Sequence, residues 1–397
     1  MRRLSSIVRL CASLLLATPT LLACDGEPTK HPEDEPNEDL GDGKLDGGGP
    51  GGIGGILGKA DADPKVVEAE ALLADGKYER GLEIIDGAIA QNPNNARFYY
   101  VRGNALTYLN RDAEARAAYE KAIELDGTDA LPHAGIGNLI AFQPNATLEH
   151  RQQSIPHYQT ALKLDPKLAA AHQALGIVLL SLGELQKAVE ALETADRLQP
   201  NVETAYGLAQ AHAKLGNDEK ALGYAKSAIE YEPEQSGVDL RLLYARLLEK
   251  NGLPKDAARE YEHAAKLGGD SALVRFEVAR GLLELGDPDA AMVHMQWLLE
   301  AVPNEAPVWV NYGRILVAQG KAKDAVAQFD KALELDPGSQ AARTYKIEAL
   351  VASKRCKDAK AQFDALARQL GWTKASGKPM PRALARAQGF LDAGKCK

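Results

Sequence analysis

Three arginines, Arg246, Arg280 and Arg314, recur at intervals of 34 residues. A guanidinium presents a planar fork of donors that grips a carboxylate or phosphate through two hydrogen bonds, so a row of them suits an anionic ligand. Arg246 has Glu249 and Lys250 nearby, and Arg280 has Glu284 at helical spacing, so the row reads equally as a set of internal ion pairs. Two asparagines, Asn104 and Asn138, share the same interval, each directly after a glycine. A side-chain amide donates and accepts together, which suits polar recognition without charge. The eight histidines are scattered, and none belongs to a His-Glu-x-x-His set. His150 and His157 lie about two helical turns apart, with no carboxylate or cysteine at metal-ligand spacing beside them. There is no Cys-x-x-Cys pair and no Gly-x-Ser-x-Gly elbow, and the glycine run from Gly47 to Gly55 does not lead into Gly-Lys-Ser/Thr. The chain therefore reads as a protein without catalytic residues, metal or cofactor.

The elements that position these residues are announced by prolines. Pro166, Pro200, Pro233, Pro303 and Pro337 close blocks of nearly constant length, the mark of a stacked helical array. The block from Ala306 to Gln340 shows the order best: Trp309, Gly313, Gly320, Ala325, Phe329, Ala332, Pro337. Small residues sit where two helices cross closely, a large apolar residue fills the space beside them, and proline stops the second helix. Tyr119, Tyr158, Tyr261 and Phe329 accordingly read as core, as does Trp309.

This pattern resembles the tetratricopeptide repeat. The resemblance covers residues 62–373, with repeats starting at Ala62, Ala96, Ala130, Ala169, Val202, Val238, Ala272, Ala306 and Gln340. It implies an all-α fold, a right-handed superhelical solenoid of about nine helical hairpins with a C-terminal capping helix. The third repeat carries extra residues between Gln143 and Arg151, read as a protruding loop, and the ninth has Ile347 where glycine is usual and Lys354 at its turn. The implied organisation is residues 1–23 leader, 24–60 tether, 61–373 array and 374–397 cap.

In the family the first helices line a concave groove. The resemblance places Glu70, Asn104, Asn138, Ile177, Gln210, Arg246, Arg280, Arg314 and Glu348 there. Asparagines at this place clamp the backbone of an extended peptide in peptide-binding members, and Tyr100 and Tyr108 would flank Asn104. The arginine row would stack into a ladder suited to an acidic segment.

Cys356 falls at the last turn, and a final helix over residues 381–393 shows Leu384, Ala387 and Phe390 on one face. If that helix runs antiparallel to its predecessor, Cys396 returns to Cys356. The two then read either as a disulfide, worth up to about 4 kcal/mol on the chain-entropy account, or as two free thiols.

The N-terminus is a separate object. Arg2, Arg3 and Arg9 precede an apolar stretch from Leu10 to Leu22, too short to span a bilayer and laid out as a secretory leader. It ends in Leu21, Leu22, Ala23 and Cys24, which resembles the bacterial lipobox and implies cleavage before Cys24 and lipidation there. Residues 25–60 are acidic and then glycine-rich, a tether with little to bury. The formal net charge of −8 argues against nucleic acid as a partner.

Together these readings make the chain a lipid-anchored, periplasm-facing protein of the bacterial cell envelope, in the inner or the outer membrane. It would act as a scaffold or assembly factor that binds other envelope proteins through extended or acidic segments. A carrier or sensor of a small anionic or glycan ligand, or a regulatory subunit of an enzyme encoded elsewhere, is the alternative.

Overall fold

The computed structural model describes residues 63–233, 236–374 and 379–396. The leader, Cys24 and the tether lie outside the described residues. Among the described residues there are nineteen α-helices and no strand. The chain divides into two compact units at Ser236 and Gly237. The N-terminal unit holds five hairpins: α1 (Pro64–Ala74) with α2 (Tyr78–Gln91), α3 (Ala96–Tyr108) with α4 (Asp112–Leu125), α5 (Ala130–Ala141) with α6 (Leu148–Leu164), α7 (Ala169–Ser181) with α8 (Leu185–Leu198), and α9 (Val202–Lys214) with α10 (Asp218–Tyr231). The C-terminal unit holds four: α11 (Val238–Lys250) with α12 (Pro254–Gly268), α13 (Ala272–Glu284) with α14 (Pro288–Ala301), α15 (Ala306–Ala318) with α16 (Ala322–Leu335), and α17 (Gln340–Ala352) with α18 (Cys356–Gln369). A last helix, α19 (Arg382–Ala393), packs on α17 and α18.

Local signals explain the boundaries. Asn95, Asp129, Ser271 and Ser339 cap their helices by accepting a hydrogen bond from a backbone N–H one turn in. Eight of the nine first helices, all but that of the third hairpin, stop at a residue with positive φ, whose successor's N–H returns to a carbonyl in the last turn, as Lys321 N–H does to Leu316 O at 2.8 Å. Gly320 supplies this at φ 77°. In the last hairpin the same place is held by Lys354, at φ 61°. A Cβ there costs roughly 1–2 kcal/mol, partly offset by the entropy glycine loses on folding. Lys354→Gly is expected to raise stability by about 0.5–1 kcal/mol, read as a higher urea midpoint at unchanged slope.

Within each unit, successive first helices meet one another directly whereas successive second helices scarcely do. The first helices therefore lie on the inner side of the bend, and their inward residues form one face.

Three sequence expectations are corrected. The insertion in the third repeat is not all loop: part of it lengthens α6 to 17 residues, against 14 in α4. A capping box starts that helix early, with Thr147 Oγ1 accepting from His150 N–H and His150 Nδ1 accepting from Thr147 N–H at 3.1 Å. Trp309 is not a core residue; it is only partly buried, and its indole N–H donates to Pro303 O at 2.7 Å, tying the helix to the preceding turn. On α19 the buried residues are Leu384, Ala387 and Leu391 rather than Phe390, because a helical stripe continues by four residues from Ala387.

Candidate functional site

In the N-terminal unit the inner face is organised by tyrosines reaching through from behind. Gly103 of α3 and Gly137 of α5 let the rings of Tyr119 and Tyr158, from the second helix of each hairpin, lie directly on the first helix. A Cβ at Gly137 would sit 2.7 Å from the Tyr158 ring. Both rings are buried, and each hydroxyl donates to the next residue on the inner face: Tyr119 to Asn104 Oδ1 and Tyr158 to Asn138 Oδ1, both at 2.8 Å. Burial pushes both phenols above their ordinary range, so they stay O–H donors at any physiological pH. The amide oxygens are thereby turned toward the tyrosines and the amide nitrogens away from them.

Tyr100 stands beside Asn104 and is hydrogen-bonded to it, but only 7% of it is exposed. It supports the asparagine instead of offering open surface. The Arg97 guanidinium lies 4.8 Å from its ring centroid and pairs with the buried Glu70 at 2.6 Å. Tyr108 stacks on Tyr78, with centroids 4.8 Å apart, instead of flanking Asn104.

The C-terminal unit presents a charged version of the same face. Arg246, Arg280 and Arg314 occupy successive first helices α11, α13 and α15 and are tied to acids. Glu277, one turn before Arg280, binds it at 2.7 Å and lies 3.9 Å from Arg246. The Glu277 side chain is 6% exposed and that of Arg280 18%, whereas Arg246 keeps 43%. Arg314 pairs with Glu284 of the preceding first helix, donates to Asn311 Oδ1 at 3.0 Å, and stacks on Tyr345. Glu284 thus serves Arg314, not Arg280, because a neighbouring helix brings it closer than helical spacing does. Glu249 accepts from the buried Tyr261 hydroxyl at 3.0 Å, and burial raises its carboxyl above the usual range.

At the end of this unit Cys356 and Cys396 are joined by a disulfide, with Cα atoms 5.2 Å apart. Cys356 opens α18 and Cys396 follows α19, so the two helices run antiparallel. Among the described residues no group of His, Cys, Asp and Glu has the arrangement of a metal site, and no helix is long and apolar enough to cross a membrane.

The sequence description of the tetratricopeptide repeat matches residues 66–130 and 276–340, and two further descriptions of that repeat match 139–267 and 316–371. The chain is built of tetratricopeptide repeats. Anaphase-promoting complex subunit 3 of Schizosaccharomyces pombe is 26% identical over 262 residues, 65% of this chain and 38% of that protein. A DnaJ homolog subfamily C member 7 homolog of Dictyostelium discoideum is 22% identical over 204 residues, 48% of this chain. The tetratricopeptide chain spans 38% of the length of each of these relatives. Among solved structures it matches the APC/C hetero-tetramer Cut9–Hcn1 with a TM-score of 0.50 at 17% identity, over 75% of this chain and 57% of that one. That likeness is one of fold.

Within the tetratricopeptide array, Asn104 and Asn138 share one inner face and the three arginines another, each in its own unit. Sequence reasoning missed Glu277, and it took Tyr119, Tyr158 and Tyr261 as core alone. A signal for the tyrosines was present: Tyr119 follows Asn104 by 15 residues, and Tyr158 follows Asn138 by the same interval once the insertion is discounted.

Proposed function

We propose that this protein is an interaction scaffold that holds an extended segment of a partner protein on the inner face of its repeats. The observation that carries it is the pair Asn104 and Asn138, each held on the inner face by a buried tyrosine hydroxyl that donates to its amide oxygen. Preset amides of this kind lower the ordering cost of binding and suit the carbonyls of a peptide backbone. The relatives support protein partners, since one is by name a subunit of a multiprotein complex. Arg246, the most exposed of the arginine row, adds a preference for acidic segments. Cys24 supplies a lipid anchor, and the acidic tether lets the array work beside a membrane of the bacterial envelope.

A photo-crosslinking residue at Ile177 of α7, in the same unit as the two asparagines, with the exposed Glu190 of α8 as control, tests the reading in native membranes. A discrete protein captured at Ile177, lost from the Asn104→Ala/Asn138→Ala variant and absent at Glu190, is the expected result. Identical background at both positions would remove it. The anchor has its own test: Cys24→Ala should move the protein from the membrane pellet to the soluble fraction.

A further inference from the structure

At the end of the array one cation forms no ion pair among the described residues, although the Glu348 carboxylate lies within its electrostatic reach. Arg386 of α19 is exposed, and its guanidinium carbon lies 4.7 Å from the Tyr345 ring centroid and 5.8 Å from that of Phe390. It forms no hydrogen bond or ion pair with a described residue. Arg314, 4.8 Å from the same Tyr345 ring, is in contrast already engaged by Glu284 and Asn311. Two aromatic rings thus hold the Arg386 fork in place while its N–H groups face solvent. The Tyr345 ring of α17 also carries Arg314 of the inner face, so a residue from the non-repeat helix stands beside the end of that face. The disulfide fixes the far end of that helix, and Leu384, Ala387 and Leu391 fix its side.

The geometry points to Arg386, stacked on Tyr345 and held by the Cys356–Cys396 disulfide, as the docking point for a carboxylate of the partner protein. A carboxylate matches the single guanidinium fork with two oxygens. Reduction by a dithiol would take up two electrons and two protons at the disulfide, leave two cysteine thiols and an oxidised reagent, and free the end of α19. The inference rests on reading the inner face as protein-binding, and it adds a residue and a redox dependence.

The test is fluorescence anisotropy of the full chain with a labelled Gly-Glu-Glu-Gly-Glu-Glu-Gly amide and its glutamine counterpart. The oxidised protein should prefer the glutamate peptide, and Arg386→Ala should weaken that binding about tenfold without lowering the melting temperature, the worth of one charge-assisted hydrogen bond. Dithiothreitol should weaken the wild type similarly and leave Arg386→Ala unchanged. Equal binding by wild type and Arg386→Ala, or no preference for glutamate, overturns the docking point. A wild type indifferent to reduction, or equal losses in both proteins, overturns the role of the disulfide. Failure here with crosslinking at Ile177 intact leaves the scaffold reading standing; failure of both removes it.

Discussion

Replacing Glu277 with alanine is expected to destabilise the C-terminal unit by about 3–5 kcal/mol, because it strands a buried guanidinium. Arg280 is largely out of water, and its one close carboxylate is Glu277 at 2.7 Å. Its pKa lies above the ordinary arginine value: burial pushes it down, and the attraction of Glu277 more than restores it. Without that acid the burial cost is opposed chiefly by the weaker attraction of Glu249, which already accepts from the Tyr261 hydroxyl. Glu277→Gln keeps the volume and an acceptor and should lose less, so the ranking wild type, glutamine, alanine separates charge from shape. Urea unfolding followed by helical circular dichroism measures it. A loss below about 1 kcal/mol, the range of a surface pair, would mean that Arg280 is solvated in the native state and that the pair is ornamental. If the alanine variant remains folded at low temperature, it should also bind acidic peptides more tightly than wild type, since Arg246 and Arg280 would both lack their internal acid.

Sequence periodicity carried the fold far because its signals are local. The first helices of the second to ninth hairpins begin at Ala96, Ala130, Ala169, Val202, Val238, Ala272, Ala306 and Gln340, the positions the repeat register names. Small residues at crossings, a left-handed turn residue and an inter-repeat proline each act within one hairpin. What escaped depends on neighbours. The partner of Arg314 is Glu284 on the preceding first helix, 30 residues away, and no rule of helical spacing finds it. Glu277 was legible as an acid three residues before Arg280, yet only the burial created by adjacent helices makes it the hub of two arginines. Thr147 and His150 show the opposite failure. Their capping box is a local signal that converts part of an insertion into helix, and attention to the extra length concealed it. For the site, asparagines at a repeat interval were visible, while the hydroxyls that orient them come from rings already assigned to the core.

Tyr119 is where fold and site depend on the same side chain, so its two replacements should part company. Tyr119→Ala is expected to cost about 3–5 kcal/mol, the usual range for truncating a buried aromatic. The ring lies against both Gly103 of α3 and Gly135 of α5, which lack side chains that could swing in to fill the void. The loss should therefore fall on the contact between two hairpins and appear in the N-terminal unit. Tyr119→Phe keeps the ring and the packing and removes only the hydroxyl shared with Asn104 at 2.8 Å and Thr107 at 3.2 Å. Its stability cost should be about 1 kcal/mol, the net worth of such a bond. Its binding cost should be larger in proportion, because Asn104 then keeps only its hydrogen bond to Tyr100 and its amide orientation is less firmly set. If Asn104 acts through that orientation, adding Asn104→Ala to Tyr119→Phe should weaken capture at Ile177 less than Asn104→Ala does alone, as coupled residues require. Full additivity would mean that the hydroxyl serves only the fold, and that the asparagine works without being held.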